Sequence, residues 1–255
     1  MKLDVLGCSG SIGPGLRTTS LLLDDAVLLD AGTGVGDLAI DALCAVQAVF
    51  LTHSHFDHLA CLPMLADLRS MRHAPALAVY GLPQTLQALR THVFNDVLWP
   101  DFTAIPREAP ALRLLPVEPG QTLRVAGLAI EPLAVVHRVP AVGYRVSRGA
   151  ASLVFSGDTG PAPDLWQALA LRDADVLIVD TAFQDAEAPL ARDSRHYHPA
   201  QLAHDLAAYR GRARVFITHT KPGEGAQVAA QLRAHLPGRA LELLHEGMRL
   251  HIEGA

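Results

Sequence analysis

Short apolar runs alternate with segments of helical periodicity along most of the chain. Residues 3–6, 19–23 and 26–29 have the composition of strands, and two aspartates between the last two runs predict a hairpin turn. Residues 46–52 form a mostly apolar run, which is typical of a strand in a sheet covered on both faces. Beyond position 58, leucine or methionine recurs every three residues and predicts a helix.

The rest of the chain continues this alternation. Further strands are predicted at residues 77–80, 123–136 (two strands turned at 126–127), 142–146, 152–155, 176–179, 215–218, 241–244 and 249–252. Helices are predicted at residues 84–94, 165–171, 202–209 and 226–235, whereas the proline-rich residues 95–120 predict irregular structure. Sheets packed together with helices outside form a layered α/β sandwich. Without a linker or low-complexity tract, residues 1–255 are expected to form a single domain.

Composition and charge narrow the class of protein. Half of the residues are hydrophobic and 18% are charged, which is ordinary for a globular protein. No apolar run approaches the roughly 18 residues that span a bilayer, and the amino-terminal residues do not resemble a secretory signal, so a cytoplasmic location is expected. The three cysteines form no CxxC motif, which argues against a disulfide scaffold or a cysteine-bound zinc. A formal net charge of −5 provides no basic field for nucleic acid.

Three histidines and an aspartate lie within six residues directly after the apolar run at 46–52. The segment is Thr52-His53-Ser54-His55-Phe56-Asp57-His58. Alternate residues of an extended segment point the same way, so His53 and His55 can bind one cation. After the chain turns, Asp57 and His58 can face a second cation. Because burying this cluster would be costly without a cation, the spacing predicts a metal site.

Three more candidate ligands follow predicted strands elsewhere in the chain. His137, Asp158 and His219 come directly or closely after the strands predicted to end at 136, 155 and 218. Strand ends on one edge of an α/β sheet form the usual binding crevice. We therefore expect these side chains to meet the histidine-rich segment at one site.

These motifs, preceded by Leu29-Asp30-Ala31-Gly32, give the chain a recognisable pattern. It resembles the metallo-β-lactamase superfamily over nearly its whole length. The resemblance implies a four-layer αββα sandwich with a dinuclear centre at one edge. It also implies that His53, His55 and His137 bind one metal, that Asp57, His58 and His219 bind the other, and that Asp158 bridges them. Asp30 would orient the histidine-rich segment.

Other motifs favour the phosphodiesterase branch of that superfamily. The segments His137-Arg-Val-Pro-Ala-Val-Gly143-Tyr144 and His196-Tyr-His-Pro resemble those of tRNA 3′-processing endonucleases. Residues 89–103 and the segment Ile217-Thr-His219-Thr-Lys221-Pro-Gly resemble class II 3′,5′-cyclic-nucleotide phosphodiesterases more closely. The implied reaction is hydrolysis of cyclic AMP or cyclic GMP to the nucleoside 5′-monophosphate by a dimetal-bridged hydroxide.

The same resemblance suggests roles for individual residues. Asp57 would orient the hydroxide, and His196 would protonate the leaving oxygen as general acid, with His198 as its rival. Lys221 would contact the substrate phosphate as a point charge. Mixed imidazole and carboxylate ligands favour two zinc ions, with manganese or iron as alternatives. The aromatic residues Phe94, Trp99 and Phe102 either stack on a base, pack in the core or form a subunit contact.

Several alternative functions share the metal ligands. A tRNA 3′-endonuclease of this kind carries a long arm between the third and fourth motifs, and residues 138–157 are too few to form one. The acidic net charge also argues against a stable complex with a polyanion. A β-lactam, ester or thioester hydrolase would use the same centre, and a metal or nucleotide sensor would bind without catalysis. The resemblance further implies a homodimer. A small-molecule phosphodiester substrate and no association with membranes are expected.

Overall fold

The computed structural model describes residues 1–254, and its strands form two seven-stranded sheets. The first sheet is built from β1 (Lys2–Gly7), β2 (Ser20–Leu23), β3 (Val27–Leu29), β4 (Ala48–Phe50), β5 (Leu77–Gly81), β6 (Leu112–Pro116) and, beside β1, β14 (Arg249–His251). The second is built from β7 (Leu123–Val125), β8 (Leu128–Ala134), β9 (Val142–Arg148), β10 (Ala151–Phe155), β11 (Val176–Asp180), β12 (Arg214–Thr218) and β13 (Leu241–Leu243).

The two sheets have the same internal arrangement. In the first, β14, β1, β2 and β3 pair antiparallel, and β3 to β6 pair parallel. In the second, β7 to β10 pair antiparallel, and β10 to β13 pair parallel. Each sheet thus has one antiparallel half and one parallel half. The strands of a parallel half have their carboxyl ends at the same edge of the sheet.

Seven α-helices lie outside the two sheets within residues 1–254. They are α1 (Ile40–Ala45), α2 (Leu62–Met71), α3 (Pro83–His92), α4 (Pro163–Leu171), α5 (Ala188–Ser194), α6 (Pro199–Ala208) and α7 (Gly225–His235). The helices α3, α4 and α6 begin at a proline, whose fixed φ suits the first helical position. No helix in residues 1–254 is both long and apolar enough to cross a membrane.

Alternating apolar residues explain why the layers form. In β11, Val176 and Ile178 point into the core between the two sheets, whereas Leu177 and Val179 point toward the helices. Because side chains alternate along a strand, a fully apolar strand packs against both neighbouring layers. One core lies between the sheets, one under α2 and α3, and one under α4, α6 and α7. The predicted four-layer αββα sandwich is confirmed.

The structure corrects three local predictions. Strand β6 lies within residues 95–120, which were expected to be irregular because of their prolines. The strand forms nevertheless because it lies at the edge of its sheet, where proline is tolerated. Helix α5 was not predicted, because its seven residues are too few to show an apolar stripe. Strand β4 is shorter than the run at 46–52, because the chain leaves the ladder before the histidine-rich segment.

Arg69 of α2 joins three segments on the outer face of the first sheet. Its guanidinium donates hydrogen bonds to the carbonyls of Leu43 at 2.8 Å, Cys44 at 2.7 Å and Pro75 at 2.8 Å. The Arg69 side chain is 3% exposed, whereas Leu43 and Cys44 are half-buried and Pro75 is exposed. The three hydrogen bonds therefore depend on a charged donor that is itself shielded from water, and losing such a donor is costly wherever the space it leaves stays closed to water.

We expect the Arg69→Met substitution to lower the free energy of unfolding by about 2–4 kcal/mol, because it leaves these carbonyls without a donor. Urea unfolding followed by circular dichroism measures the change. The matched control is Arg90→Met on α3, an exposed arginine that should change stability by less than about 0.5 kcal/mol. Equal effects of the two substitutions would contradict this account.

Candidate metal centre

The seven predicted ligands converge at one edge of the sandwich. They are His53, His55, Asp57 and His58 after β4, His137 after β8, Asp158 after β10 and His219 after β12. They form two groups that share Asp158, and within each group the ligand atoms lie within 4.8 Å of one another. One group is His53, His55, His137 and Asp158, and the other is Asp57, His58, Asp158 and His219.

Asp158 lies at the centre of the cluster and is 3% exposed. Its Oδ1 is 3.2 Å from His58 Nε2, and its Oδ2 is 3.3 Å from His219 Nε2 and 3.7 Å from His53 Nε2. Burial alone would raise the pKa of this carboxyl, but His219 and His58 outweigh burial and hold the pKa well below its ordinary value. Asp158 is therefore an anion that faces both groups.

The first group offers neutral imidazoles. Burial lowers the pKa of His53, His55 and His137, so these rings stay unprotonated at neutral pH. His55 Nδ1 and His137 Nε2 are 3.1 Å apart. Two nitrogens bound to one tetrahedral zinc at about 2.0–2.1 Å would be separated by roughly 3.3 Å, so the observed spacing suits a shared cation.

The second group combines two imidazoles with two carboxylates. His219 Nε2 lies 3.3 Å from Asp57 Oδ2, and His58 Nε2 lies 3.7 Å from the same oxygen. Burial would raise the pKa of Asp57, but the hydrogen bond from His219 and the charge of His58 outweigh it, and the pKa falls far below its ordinary value. Asp57 is thus ionised and 30% exposed, so it faces the open side of the centre.

Asp30 and Thr52 hydrogen-bond to two histidines of the histidine-rich segment on the side opposite to the cluster. Asp30 is fully buried and accepts hydrogen bonds from the Thr52 backbone N–H at 2.7 Å, the Thr52 hydroxyl at 2.8 Å and His58 Nδ1–H at 2.7 Å. The same hydroxyl lies 2.9 Å from His53 Nδ1. These contacts fix the Nδ1–H tautomers and turn Nε2 of both histidines toward the centre. The sequence prediction for Asp30 agrees with this position, and Thr52 is an addition from the structure.

The chemistry of the pocket fits two divalent cations. His53 Nε2 is buried and makes no hydrogen bond within residues 1–254, and His58 Nε2 is buried with a contact to Asp158 Oδ1 at 3.2 Å that lacks hydrogen-bond geometry. A buried nitrogen without a partner is destabilising unless a cation or a donor satisfies it. Both nitrogens point to the Asp158 carboxylate, and the pocket supplies imidazole and carboxylate ligands in the mixture that zinc and related cations accept.

His196 borders the cluster, whereas His198 does not. His196 is 8% exposed, its ring stacks on that of His219 at 5.2 Å between centroids, and its Nε2 is 4.0 Å from Asp158 Oδ2. His198 instead directs Nδ1 to Asp185 at 2.9 Å, which fixes it beside α6. Of the two histidines left open by the sequence, only His196 faces the centre.

Asp180 is a residue of the site that sequence reasoning missed. It ends β11, is fully buried, and accepts a hydrogen bond from His196 Nδ1–H at 2.8 Å. Its other oxygen lies 3.7 Å from His219 Nδ1. Burial would lower the pKa of His196, but Asp180 outweighs burial and raises it, so the imidazolium form is favoured. An aspartate after a fully apolar strand was the signal available in the sequence.

Lys221 lies on the same side of the centre as His196. Its ammonium donates to the Gly10 carbonyl at 3.0 Å and lies 5.4 Å from the centroid of Phe183. The Phe183 ring is 5.6 Å from the His196 ring, and Lys221 lowers the pKa of His196 slightly against the effect of Asp180. No carboxylate within residues 1–254 forms an ion pair with Lys221 in the structure.

The aromatic residues of the loop after α3 belong to the core. Phe94 is 2% exposed and Phe102 is 5% exposed, and Trp99 packs against the same cluster under α2 and α3. Stacking on a base would require an exposed ring face, so the structure supports the packing alternative for Phe94 and Phe102.

Comparison with known proteins agrees with this fold and cluster. A model of the beta-lactamase superfamily domain matches residues 26–236. The chain belongs to the metallo-β-lactamase superfamily. Its fold is similar to that of yeast PDE1, with a TM-score of 0.80 and 17% identity over 98% of each chain. It is also similar to the metallo-β-lactamase fold protein YhfI from Bacillus subtilis, with a TM-score of 0.78 and 18% identity over 98% of this chain and 99% of that one.

The similar proteins differ in how much of their length they share with this chain. Ribonuclease Z from Bradyrhizobium sp. is 27% identical over 92% of this chain and 95% of its own length. The 3′,5′-cyclic-nucleotide phosphodiesterase 1 of Saccharomyces cerevisiae is 30% identical over 35% of this chain, and octanoyltransferase from Porphyromonas gingivalis is 34% identical over 51% of it. The chain spans about a quarter of these two proteins, 25% and 26% respectively. Membership and cluster together support a metal-dependent hydrolase.

We expect the Thr52→Val substitution to weaken Zn²⁺ binding by about 10- to 100-fold, because the hydroxyl that orients both His53 and Asp30 is lost. Competition with a chromophoric chelator measures the affinity. Thr85→Val is the matched control, because Thr85 is 1% exposed and its hydroxyl has no partner within residues 1–254. An unchanged affinity in Thr52→Val would show that the hydroxyl does not support the ligands.

Proposed function

We propose that this protein hydrolyses a 3′,5′-cyclic nucleotide to the nucleoside 5′-monophosphate with two divalent cations. The observation that carries the proposal is the position of the His196–Asp180 pair, a hydrogen-bonded proton donor 4.0 Å from the carboxylate shared by both ligand groups. A proton donor beside a two-cation cluster suits a reaction in which an alkoxide leaves. Hydrolysis of a phosphodiester at a ribose oxygen is such a reaction.

We propose that His53, His55 and His137 hold one cation, that Asp57, His58 and His219 hold the other, and that Asp158 contacts both. Bound divalent cations supply Lewis acidity and lower the pKa of water toward neutrality. Two such cations outweigh the charges of Asp57 and Asp158, so the loaded pocket attracts a phosphodiester anion. Imidazole and carboxylate donors favour zinc, with manganese and iron as alternatives.

His196 acts as the general acid in this proposal. The leaving ribose oxygen is strongly basic and needs a proton as the bond to phosphorus breaks. Asp180 accepts from His196 Nδ1–H, so Nε2 carries the proton that faces the centre. Asp180 raises the pKa of His196, which favours the protonated form that donation requires. Donation leaves a neutral imidazole that is still held by Asp180.

Two further residues contact the substrate or the attacking water. Asp57 is ionised and partly exposed at the open side of the pocket, where it orients the attacking water by accepting a hydrogen bond. Lys221 presents an ammonium without a carboxylate partner within residues 1–254, next to His196. We assign Lys221 to the anionic oxygens of the phosphate.

Charge and architecture favour a small substrate. The formal net charge of −5 weakens attraction to a polyanion. The segment between His137 and Asp158 contains β9, β10 and their short connections, without an extra arm. We also propose that the chain works as a single domain, because strands from both sheets share the central core.

A tRNA 3′-processing endonuclease is the second candidate. It is favoured by the similarity to ribonuclease Z, which extends over 92% of this chain, whereas the similarity to the yeast phosphodiesterase extends over 35%. Both candidate enzymes would cleave a phosphodiester with His196 as the general acid. They differ in substrate size and in the salt dependence of binding.

We expect cleavage of cyclic AMP, cyclic GMP and bis(p-nitrophenyl) phosphate, and no cleavage of pre-tRNA, when the protein is loaded with Zn²⁺ or Mn²⁺. His55→Ala and Asp158→Ala should abolish this activity, because each removes a proposed ligand. Product release is measured by chromatography for nucleotides and by absorbance for nitrophenol. Specific cleavage of pre-tRNA would favour the endonuclease, and cation binding without cleavage of any diester would favour a sensor.

We expect His196→Ala to lower kcat for a cyclic nucleotide by about 10²- to 10⁴-fold, because the ribose oxygen then leaves without a proton. The loss on bis(p-nitrophenyl) phosphate should be much smaller, because nitrophenolate leaves unprotonated. His198→Ala is the control and should match the unmodified protein on both substrates. Equal losses on the two substrates in His196→Ala would exclude a role as general acid.

A further inference from the structure

Arg195 occupies an unusual backbone position between α5 and His196. It follows the last residue of α5 in the left-handed conformation, with φ 57° and ψ 55°. This region favours glycine and is uncommon for other residues. The left-handed turn lets the chain reverse directly before His196, and the His196 N–H bonds back to the Ala191 carbonyl at 2.9 Å.

Arg195 and His137 exchange two hydrogen bonds across 58 positions of sequence. The Arg195 carbonyl accepts from His137 Nδ1–H at 3.1 Å, and the Arg195 guanidinium donates to the His137 carbonyl at 2.8 Å. The first bond fixes the ring tautomer of His137 and turns its Nε2 toward His55. The second bond anchors the backbone that carries the ring.

The same residue also meets the loop that carries Asp158. A Cβ placed on Gly160 would lie 3.4 Å from the Arg195 carbonyl carbon, so the two backbones are in close contact. The Gly160 N–H donates to the Val136 carbonyl at 2.9 Å. Three segments, those of His137, Asp158 and His196, therefore meet at Arg195.

We propose that Arg195 is a positioning residue that holds His137 in the orientation that would bind the first cation and fixes the position of His196 beside the His137 ring, 4.9 Å away between centroids. The backbone carbonyl of Arg195 orients the His137 imidazole, and the Arg195 guanidinium anchors the His137 backbone. The kinetic part of this proposal rests on the proposed phosphodiesterase function, whereas the part that concerns cation binding does not.

The side chain and the backbone conformation can be tested separately. Arg195→Gly keeps the left-handed turn and the carbonyl but removes the guanidinium. Arg195→Lys restores a donor that can reach the His137 carbonyl. Arg192→Ala, an exposed arginine one turn earlier in α5, is the matched control.

The full-length protein is stripped of metal and titrated with Zn²⁺ and with Co²⁺, in the absence of substrate. For Arg195→Gly we expect the affinity for one of two equivalents to fall about tenfold and the Co²⁺ absorption bands of that site to change. The melting temperature of the metal-free protein should not fall, since glycine suits the turn. Arg195→Lys should recover most of the affinity, and kcat in Arg195→Gly should fall with little change in KM.

The outcomes separate this proposal from the others. Unchanged Zn²⁺ affinity and Co²⁺ spectrum in Arg195→Gly would overturn it, as would an equal change in Arg192→Ala. A lower melting temperature of the metal-free protein with unchanged cation affinity would assign Arg195 a purely structural role and also overturn it. If the unmodified protein binds two cations but cleaves no diester, the proposed function fails while the titrations still decide the role of Arg195.

Discussion

The carboxylate of Asp158 is surrounded by imidazole nitrogens that come from separate loops, and the pocket depends on this arrangement. Removing an ionised carboxylate from water is strongly unfavourable unless nearby positive charge and hydrogen bonds compensate for it. His58 and His219 compensate for it in the chain itself, and they hold the pKa of Asp158 low. Divalent cations would compensate for it more fully and would also satisfy the unpartnered nitrogens of His53 and His58.

The topology explains how such distant residues meet. Each sheet has a parallel half, and the loops after β4, β10, β11 and β12 leave the sheets at the same edge. Asp57 and His219 are 162 positions apart, yet their side chains are in contact. The antiparallel halves contribute one ligand, His137 after β8, and otherwise extend the sheets that shape the central core.

The sequence could predict this convergence because it depends on a general rule about strand ends. Short apolar runs followed by His or Asp identified the seven candidate ligands. The alternation of strands and helices predicted a layered α/β sandwich, and the resemblance to the metallo-β-lactamase superfamily implied its αββα order. Asp180 obeys the same rule, but a single aspartate after a strand is too common to stand out without its contact to His196. Arg195 could not be inferred, because its role depends on a left-handed backbone and on α5, whose short sequence shows no helical pattern.

Three non-glycine residues of the site, Asp30, His219 and Arg195, have a left-handed backbone, with φ of 58°, 65° and 57°. Each such residue costs about 1–3 kcal/mol, which the surrounding structure must offset. Glycine would avoid this cost at Asp30 and His219 only by removing the carboxylate or imidazole that the pocket uses. Hydrogen bonds hold the strained turns instead: three reach the Asp30 carboxylate, and the His219 N–H donates to the Cys8 carbonyl at 2.8 Å. At Asp30 and His219, the strain is thus a consequence of placing a functional side chain directly after a strand, where the chain must turn sharply.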